Sequence, residues 1–436
     1  METVRLLGEF VVGSVQLVTK GNRYYWAWIA FLGLLIVSGG LAYWDQVSQG
    51  LVVTAMRDQV SWGLYIGNFT FLVGVAAAAV VLVIPAYVYH WKPIREIVIY
   101  GELLALSAII MCLLFVTVDL GRPDRFWHLI PPLGHLNFPS SLLAWDVLVL
   151  NIYFVLNFLV VTHILYRAFH GKDYDKRFVI PLVLASIPMA VGIHTVTAFL
   201  FNGLAARPYW NSSILAPQFL ASAFCSGPAI LLMVLQLLRR YTRFEIRDEA
   251  IWKIAELMAY AMFLNLFLHG AEVFKEAYSD TEHFLYTRYW FLGLGEDRTL
   301  VPFAWTAVTL NLLAFVLFMI PTTRRNWVTL NIGCVAIYLG VYIDKGMGLI
   351  IPGLTPDTLG EIYRYLFTVN EFRVTAGVFS VGFLVFTLML KVAVPISLGQ
   401  FQSVPQSRLG ESYSPGAPGS ELEVGVDRRA GDGTGR

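Results

Sequence analysis

The sequence predicts an all-α integral membrane protein of about ten transmembrane helices, arranged as two parallel four-helix bundles plus two extra helices. Three observations lead there: composition, the lengths of the apolar runs, and a faint internal repeat. The chain has 436 residues, 57% hydrophobic and only 14% charged, with a mean hydropathy of +0.63. Soluble domains carry roughly a quarter charged residues, so this is the composition of a chain whose solvent is largely lipid. The net charge of +1 comes without a basic tract, and no nucleic-acid partner is expected.

Along the chain, METVRLLGEFVVGSVQLVTK carries acids at Glu2 and Glu9 and lacks a charged, apolar, small-residue cleavage pattern. Residues 1–23 are therefore expected to be an interfacial amphipathic segment on the cytoplasmic side. Runs long enough to cross about 30 Å of hydrocarbon lie near 24–44, 62–89, 94–118, 138–168, 178–203, 215–240, 249–279, 300–320, 326–350 and 371–395. Pro85, Pro181, Pro188 and Pro228 fall inside runs, which bundled membrane helices tolerate. The transmembrane domain is placed at 24–395, with four-helix repeats at about 62–203 and 215–350 and flanking helices 24–44 and 371–395. Residues 396–436, rich in Ser, Pro, Gly and acids, are expected to be a disordered cytoplasmic tail.

Basic residues concentrate on the side of the N-terminus, as in Arg239, Arg240, Arg243 and Arg247, so both termini are expected in the cytoplasm. The stretch DLGRPDRFWH, Asp119 to His128, then opens on the outer face. Two long outer segments, about 280–299 and 351–370, hold aromatics (Phe284, Tyr286, Tyr289, Trp290; Tyr363, Tyr365, Phe367) and read as a docking surface or a lid. Cys112, Cys225 and Cys334 stand singly in apolar runs, so this chain is expected to hold no iron–sulfur cluster of its own.

The repeat pairs GELLAL (Gly101 to Leu106) with AELMAY (Ala255 to Tyr260), and AWDVLVLN (Ala144 to Asn151) with AWTAVTLN (Ala304 to Asn311). Both offsets are four helices, and an even offset preserves direction across the membrane. Trp145 matches Trp305, whereas Asp146 matches Thr306, an asymmetry that favours one site over two.

An ionisable group at membrane depth is expensive and therefore a candidate for function. Counting 1.5 Å per residue puts Asp119, Arg122, Asp146, His194, His269 and Glu272 towards the outer side, with Asp344 and Lys345 as further members. Acids, imidazoles and a guanidinium at one depth suit proton exchange at a membrane edge, as quinone chemistry requires. Asp146, Asp119 and His194 are the candidate catalytic groups. Arg122, Trp145, Tyr153, His128, His269 and Glu272 are candidates for binding the quinone, with Trp145, Phe126, Trp127 and Tyr153 available as the apolar, aromatic wall for its isoprenoid tail. Glu102 and Glu256, in matching inner-half positions, are candidates for a proton path. No metal site is expected. Plainer readings stand beside these: Arg122, Arg125 and His128 as solvated loop residues, His194 as a packed core histidine, Asp146–Arg122 as a structural pair, and Glu102 and Glu256 as helix-packing acids.

These same residues carry a resemblance. DLGRPDRFWH followed by SSLLAWDVLVLNIYF, with WGLYIGNFTFLVG in the second span and HTVTAFLF in the fifth, resembles the NrfD-like family, the membrane subunits of polysulfide-reductase-type complexes. The ten-span layout and IDKGMGLIIPG look closest to its DsrP branch, from the DsrMKJOP complex of sulfur metabolism; the likeness covers about 24–395. The resemblance implies a multi-pass protein of a prokaryotic inner membrane that binds quinone (menaquinone or ubiquinone) near the outer face and carries no haem. Its implied partner is a periplasmic ferredoxin-like, DsrO-like iron–sulfur subunit, with the other DsrMKJOP-type subunits and membrane lipid around it. Family site roles map onto Asp119 and Asp146; where one related branch has a histidine before its GRP, this chain has Asp119. The expected function is electron exchange between the quinone pool and that partner, with proton translocation left open. The alternatives are a b-type cytochrome anchor using His194 and His269, or a secondary transporter.

Overall fold

The computed structural model describes residues 2–76, 78–130 and 133–403. Ten helices among them are long and apolar enough to cross a membrane. They are α1 (Arg23–Gln49), α2 (Leu64–Val88), α3 (Val98–Asp119), α4 (Leu142–Phe169), α5 (Lys176–Asn202), α6 (Leu215–Tyr241), α7 (Asp248–Ser279), α8 (Val301–Met319), α9 (Trp327–Leu354) and α10 (Val369–Ser397). The molecule is an all-helical, multi-pass integral membrane protein. In hydrocarbon every backbone N–H and C=O must be paired within its own segment, which helices alone achieve without closing a barrel. Side chains finish several helix starts: Ser141 caps α4, Asp175 caps α5, Asn326 caps α9, and Thr368 with Glu371 forms a capping box on α10.

Neighbour relations divide the spans as the repeat suggests. α2, α3, α4 and α5 pack in a ring, each on the next and α5 back on α2; α6, α7, α8 and α9 close a second ring in the same way. The rings join where α2 meets α6 and α9, and where α5 meets α6. α2 is the axis of the whole, with every residue from Leu64 to Ala76 buried. The flanking helices α1 and α10 pack on each other and, through α10, on α3. The end at which α3 finishes is called here the GRPD end.

Glycine sets the α1–α10 crossing. A Cβ on Gly39 would lie 2.7 Å from the Cα of Gly377, so only two hydrogens fit between these backbones. Two breaks also matter: α2 ends in a π-helical turn, Ile84–Val88, around Pro85, and α9 is interrupted at Gly346 before resuming at Met347–Leu354.

At the opposite end the amphipathic helix Glu2–Val18 packs Phe10 against Tyr166 and Phe169 and leaves Leu7, Val11, Val12 and Val15 exposed. Residues 396–403, expected to belong to the tail, are packed against the helices. α10 runs to Ser397, Phe401 packs on Phe169 at 4.7 Å, and Ser403 N–H donates to the Phe169 carbonyl at 2.8 Å. Residues 404–436 lie outside the described residues.

The two segments read as a docking surface or a lid are in part helical and packed inward. Residues 282–292 form a helix, Glu282–Leu292, whose Tyr286, Tyr289 and Trp290 are buried, and Tyr365 is buried as well. Aromatic side chains that can turn inward onto packed helices do so, because burial outweighs exposure by a few kcal/mol each. Arg364 clamps the two segments by an ion pair of 2.8 Å to Asp297. Although burial pushes the Asp297 carboxyl up, hydrogen bonds from Thr299 and Arg364 hold it below the ordinary carboxylate range.

The Gly39–Gly377 contact yields a direct test. Gly377→Leu should cost roughly 1–3 kcal/mol by overpacking and lower the thermal midpoint in detergent. Gly40→Leu, where an added Cβ meets nothing within 4 Å, should leave it unchanged. Equal midpoints for both variants would remove this crossing as a determinant of α1–α10 packing.

Candidate functional site

Asp146 sits on the second turn of α4, and the Ser141 cap fixes where that helix begins. It is 2% exposed, and its Oδ1 accepts a hydrogen bond of 2.7 Å from the Thr197 hydroxyl on α5. One turn back along α5, on the same face, His194 is fully buried. Its Nδ1 lies 2.7 Å from the Ala190 carbonyl, and a neutral imidazole holding its proton there turns Nε2 into an acceptor. That Nε2 has no partner among the described residues. Deeper in α4, Tyr153 is fully buried and donates to the Ala76 carbonyl at 3.3 Å. Trp145 faces the other way: it is 37% exposed, its indole N–H donates to the Pro139 carbonyl at 2.8 Å, and its ring meets Phe138 at 4.5 Å.

Asp119 and Arg122, grouped with Asp146 by depth alone, belong elsewhere. Asp119 is the last residue of α3, with Oδ1 buried and unpartnered among the described residues. Tyr65 donates to Gln46 at 2.8 Å, and Gln46 donates to the Val118 carbonyl at 2.6 Å, so this network ties α3 to α1 and α2. Glu371 is itself held by Ala55 N–H, Thr368 and the Tyr365 hydroxyl. Arg122 is exposed and makes a bidentate pair with Asp124 at 2.9 and 2.8 Å, which corrects the alternative Asp146–Arg122 pairing. Two residues apart on a short loop, Arg122 and Asp124 meet at little entropic cost; the hydrogen bonds from Arg122 hold the Asp124 carboxyl down at about 2. His128 is exposed, edge-on to Trp127.

His269 and Glu272 sit in the second ring. They line a pocket at the GRPD end with Gln218, Glu276, Asp344 and Lys345. Gln218 Nε2 is 3.1 Å from His269 Nδ1, and the Thr287 hydroxyl hydrogen-bonds Glu276. Among the described residues no hydrogen bond or ring contact joins His269 to His194, and no group of three or more His, Cys, Asp or Glu is arranged to hold a metal.

At the opposite end the inner acids differ. Glu102 is 1% exposed, hydrogen-bonded to Tyr87, with Oε2 unpartnered. Tyr87 also lines a cavity with Arg95, Glu96 and Tyr174, so Glu102 lies one side chain from that opening. Glu256 instead joins an interfacial network with Tyr260 (2.8 Å), Lys253 (3.3 Å) and Arg324 (3.9 Å).

Sequence reading passed over Thr197, Glu276, Tyr65 and Glu371. Two of these were within reach: Thr197 is three residues after His194 and Glu276 four after Glu272, both helix-face spacings.

Comparison with known proteins converges on the same region. A family model, "Polysulphide reductase, NrfD", matches residues 52–356, which contain both rings with Asp119, Asp146, His194, His269 and Glu272, while Gln46, Arg364, Thr368 and Glu371 lie outside the match. The chain belongs to the NrfD family. Among relatives of this NrfD-family chain, a putative dimethyl sulfoxide reductase membrane subunit of Halobacterium salinarum is 27% identical, over 82% of this chain and 88% of that protein. A selenate reductase subunit of Mesobacillus selenatarsenatis is 23% identical over 86% and 94%. An Hdr-like menaquinol oxidoreductase integral membrane subunit of Archaeoglobus fulgidus is 22% identical over 59% and 62%.

Thr197→Val keeps the shape of the side chain but leaves the buried Asp146 without its donor, at an expected cost of about 1–3 kcal/mol. Thr197→Ser, which keeps the hydroxyl, should recover most of the loss. Thermal unfolding in detergent checks this, and a valine variant as stable as wild type would strip the bond of its role.

Proposed function

We propose that this chain is the quinone-reactive membrane subunit of a respiratory electron-transfer complex, exchanging electrons between the quinone pool and an iron–sulfur partner. The observation that carries the reading is the buried Asp146–Thr197 pair with the unpartnered Nε2 of His194 one turn away. The relative named a menaquinol oxidoreductase membrane subunit supports the choice of a quinone, with menaquinone the first candidate.

A bound quinol supplies two electrons and two protons. This chain's residues provide for the protons. With Oδ1 of Asp146 engaged by Thr197, Oδ2 is the atom left to take one; His194 Nε2, its lone pair free, takes or orients the other. Trp145 and Phe138, at the edge of the ring, offer the apolar surface an isoprenoid tail requires. Tyr153 closes the site from below. Asp119, at the end of α3 with Oδ1 buried and unpartnered, is a further carboxyl able to take a proton at that end.

By the distribution of Lys and Arg, the GRPD end faces outward across a prokaryotic inner membrane and both termini face the cytoplasm. The partner then docks at that outer end, where a periplasmic ferredoxin-like, DsrO-like subunit would accept or donate electrons. The DsrP branch and sulfur metabolism follow from IDKGMGLIIPG and remain part of this proposal. Proton translocation would begin at Glu102, which the cavity beside Tyr87 opens towards the cytoplasm.

Two measurements test the reading. Titration of the purified chain with the fluorescent quinol analogue 2-heptyl-4-hydroxyquinoline N-oxide should show saturable quenching that weakens at least tenfold in Asp146→Asn, about 1.4 kcal/mol. Saturable binding unchanged by that substitution would move the quinone away from Asp146. Separately, Glu102→Gln should lower the protons moved per electron in proteoliposomes; unchanged stoichiometry would take Glu102 out of the path.

A further inference from the structure

The inner ends of α4 and α10 meet in an aromatic cluster that the chemistry above does not use. Phe401, just beyond α10, lies 4.7 Å from the ring of Phe169, the last residue of α4. Phe10 of the N-terminal helix sets its edge against Tyr166 and Phe169 at 5.9 and 5.4 Å. That helix comes so close that a Cβ on Gly13 would stand 2.6 Å from the Phe401 ring. Two polar contacts fasten the chain beyond these rings. Ser403 N–H donates to the Phe169 carbonyl at 2.8 Å, and Ser403 Oγ lies 2.8 Å from Nδ1 of His170.

His170 is the member of this cluster that titrates near neutrality. Its ring is edge-on to Tyr166 and Phe169 at 4.7 and 5.0 Å, and its Nε2 is buried with no partner among the described residues. A neutral ring suits that place: with its proton on Nδ1, donated to Ser403 Oγ, it leaves only a lone pair on Nε2. Protonation adds an N–H at Nε2 with nothing to accept it, and a buried unpaired donor is costly. The charged groups around the ring are Glu9 of the N-terminal helix, Arg167 of α4 and Lys172 in the turn that follows, while the segment after α10 brings the uncharged Gln402 and Ser403. Burial, reinforced by Lys172 and Arg167, holds the imidazole below its ordinary value, and Glu9 works against them. The closed contact is therefore at full strength above about 6.5, the ordinary histidine value. It weakens as pH falls below that value, because the open form binds the extra proton.

The same two helix ends wall the cavity beside Tyr87: α4 contributes Ile164, Leu165 and Ala168, and α10 contributes Ile396 and Ser397. Phe169 and His170 directly follow the first set, and Phe401 and Ser403 come shortly after the second. Whatever ties the clasp residues together therefore ties the cavity walls together. We propose that His170 and Ser403 form an acid-opened clasp across the inner ends of α4 and α10, which sets the width of the cavity beside Tyr87 and loosens its walls when the solution at that end acidifies. The clasp itself is independent of the quinone chemistry. Its bearing on proton uptake rests on the Glu102 path proposed above.

Hydrogen–deuterium exchange of the full chain in lipid nanodiscs tests this, at about pH 7.5 and about pH 5.5, a unit either side of the ordinary histidine value. Exchange times are scaled for the intrinsic pH dependence of amide exchange, and the peptides read are those containing residues 164–170 and 396–403. In the wild type, protection of both should fall at least tenfold at the lower pH. His170→Gln keeps a hydrogen-bonding side chain that does not titrate in this range, and its protection should be the same at both. Ser403→Ala should lower the protection of 396–403 already at the higher pH. Wild-type protection that does not change with pH would overturn the clasp, and this comparison needs no variant to fold. A His170→Gln chain that loses protection as the wild type does would also overturn it, by giving the titration to another group. Loss confined to 396–403, with 164–170 still protected, would overturn the coupling to the cavity wall. A clasp that opens as expected, beside a Glu102→Gln chain of unchanged proton stoichiometry, would instead sink the Glu102 path and leave the clasp standing.

Discussion

A carboxylate placed within hydrocarbon must be given a hydrogen-bond donor or it destabilises everything around it. In this chain the donor is Thr197, and the bond it makes to Asp146 is the constraint from which the first ring follows. It holds α4 to α5 near the GRPD end, fixes the rotation of α5 so that His194 faces inward, and leaves one carboxylate oxygen for chemistry. Helix starts reinforce it. The Ser141 and Asp175 caps set the registers of α4 and α5, so Asp146 and Thr197 arrive at matching depth.

The second ring shows what the same scaffold does without that acid. Trp145 and Trp305 both donate their indole N–H to an earlier backbone carbonyl, Trp145 to Pro139 just before α4 at 2.8 Å and Trp305 to Phe291 in the helix that precedes α8 at 3.1 Å. The following residue diverges: Asp146 is buried against Thr197, whereas Thr306 is exposed and bonds back to Pro302. Glu102 and Glu256 diverge likewise, one interior, the other in a surface ion network. The second ring keeps its polar groups in an open pocket instead of a closed pair, and Lys345, buried in that lining, donates to the Phe219 carbonyl.

Spans were legible because hydrocarbon thickness sets a minimum length for an apolar run, and all ten appear. Their ends were less so. The fourth run reads from 138, but the helix waits for the Ser141 cap and starts at Leu142. Within the site, depth along a helix was readable and azimuth was not. Asp119 has the right depth yet makes no hydrogen bond to Asp146 among the described residues, and its neighbour Val118 is tied to Gln46 of α1, a residue far away in sequence. Arg122 was lost to a partner two residues away, since a local pair forms at less entropic cost than a distant one. The aromatics at 284–290 and 363–367 read as a docking surface or a lid because they lie between spans, yet Tyr286, Tyr289, Trp290 and Tyr365 are buried while Phe367 stays half exposed. Thr197 was silent because threonine is ordinary in membrane helices, where its hydroxyl usually bonds back to its own helix, as at Thr195.

The central claim is that quinone chemistry occurs in the first ring, beside Asp146. Photolabelling of the membrane-embedded chain with an azido-naphthoquinone, followed by peptide mapping, tests it most directly. The account predicts label on α4 and α5, within a turn or two of Asp146 and His194, displaced by excess menaquinone. Displaceable label confined to α6, α7 and α9 around His269 and Glu272 would contradict it and transfer the quinone to the second ring.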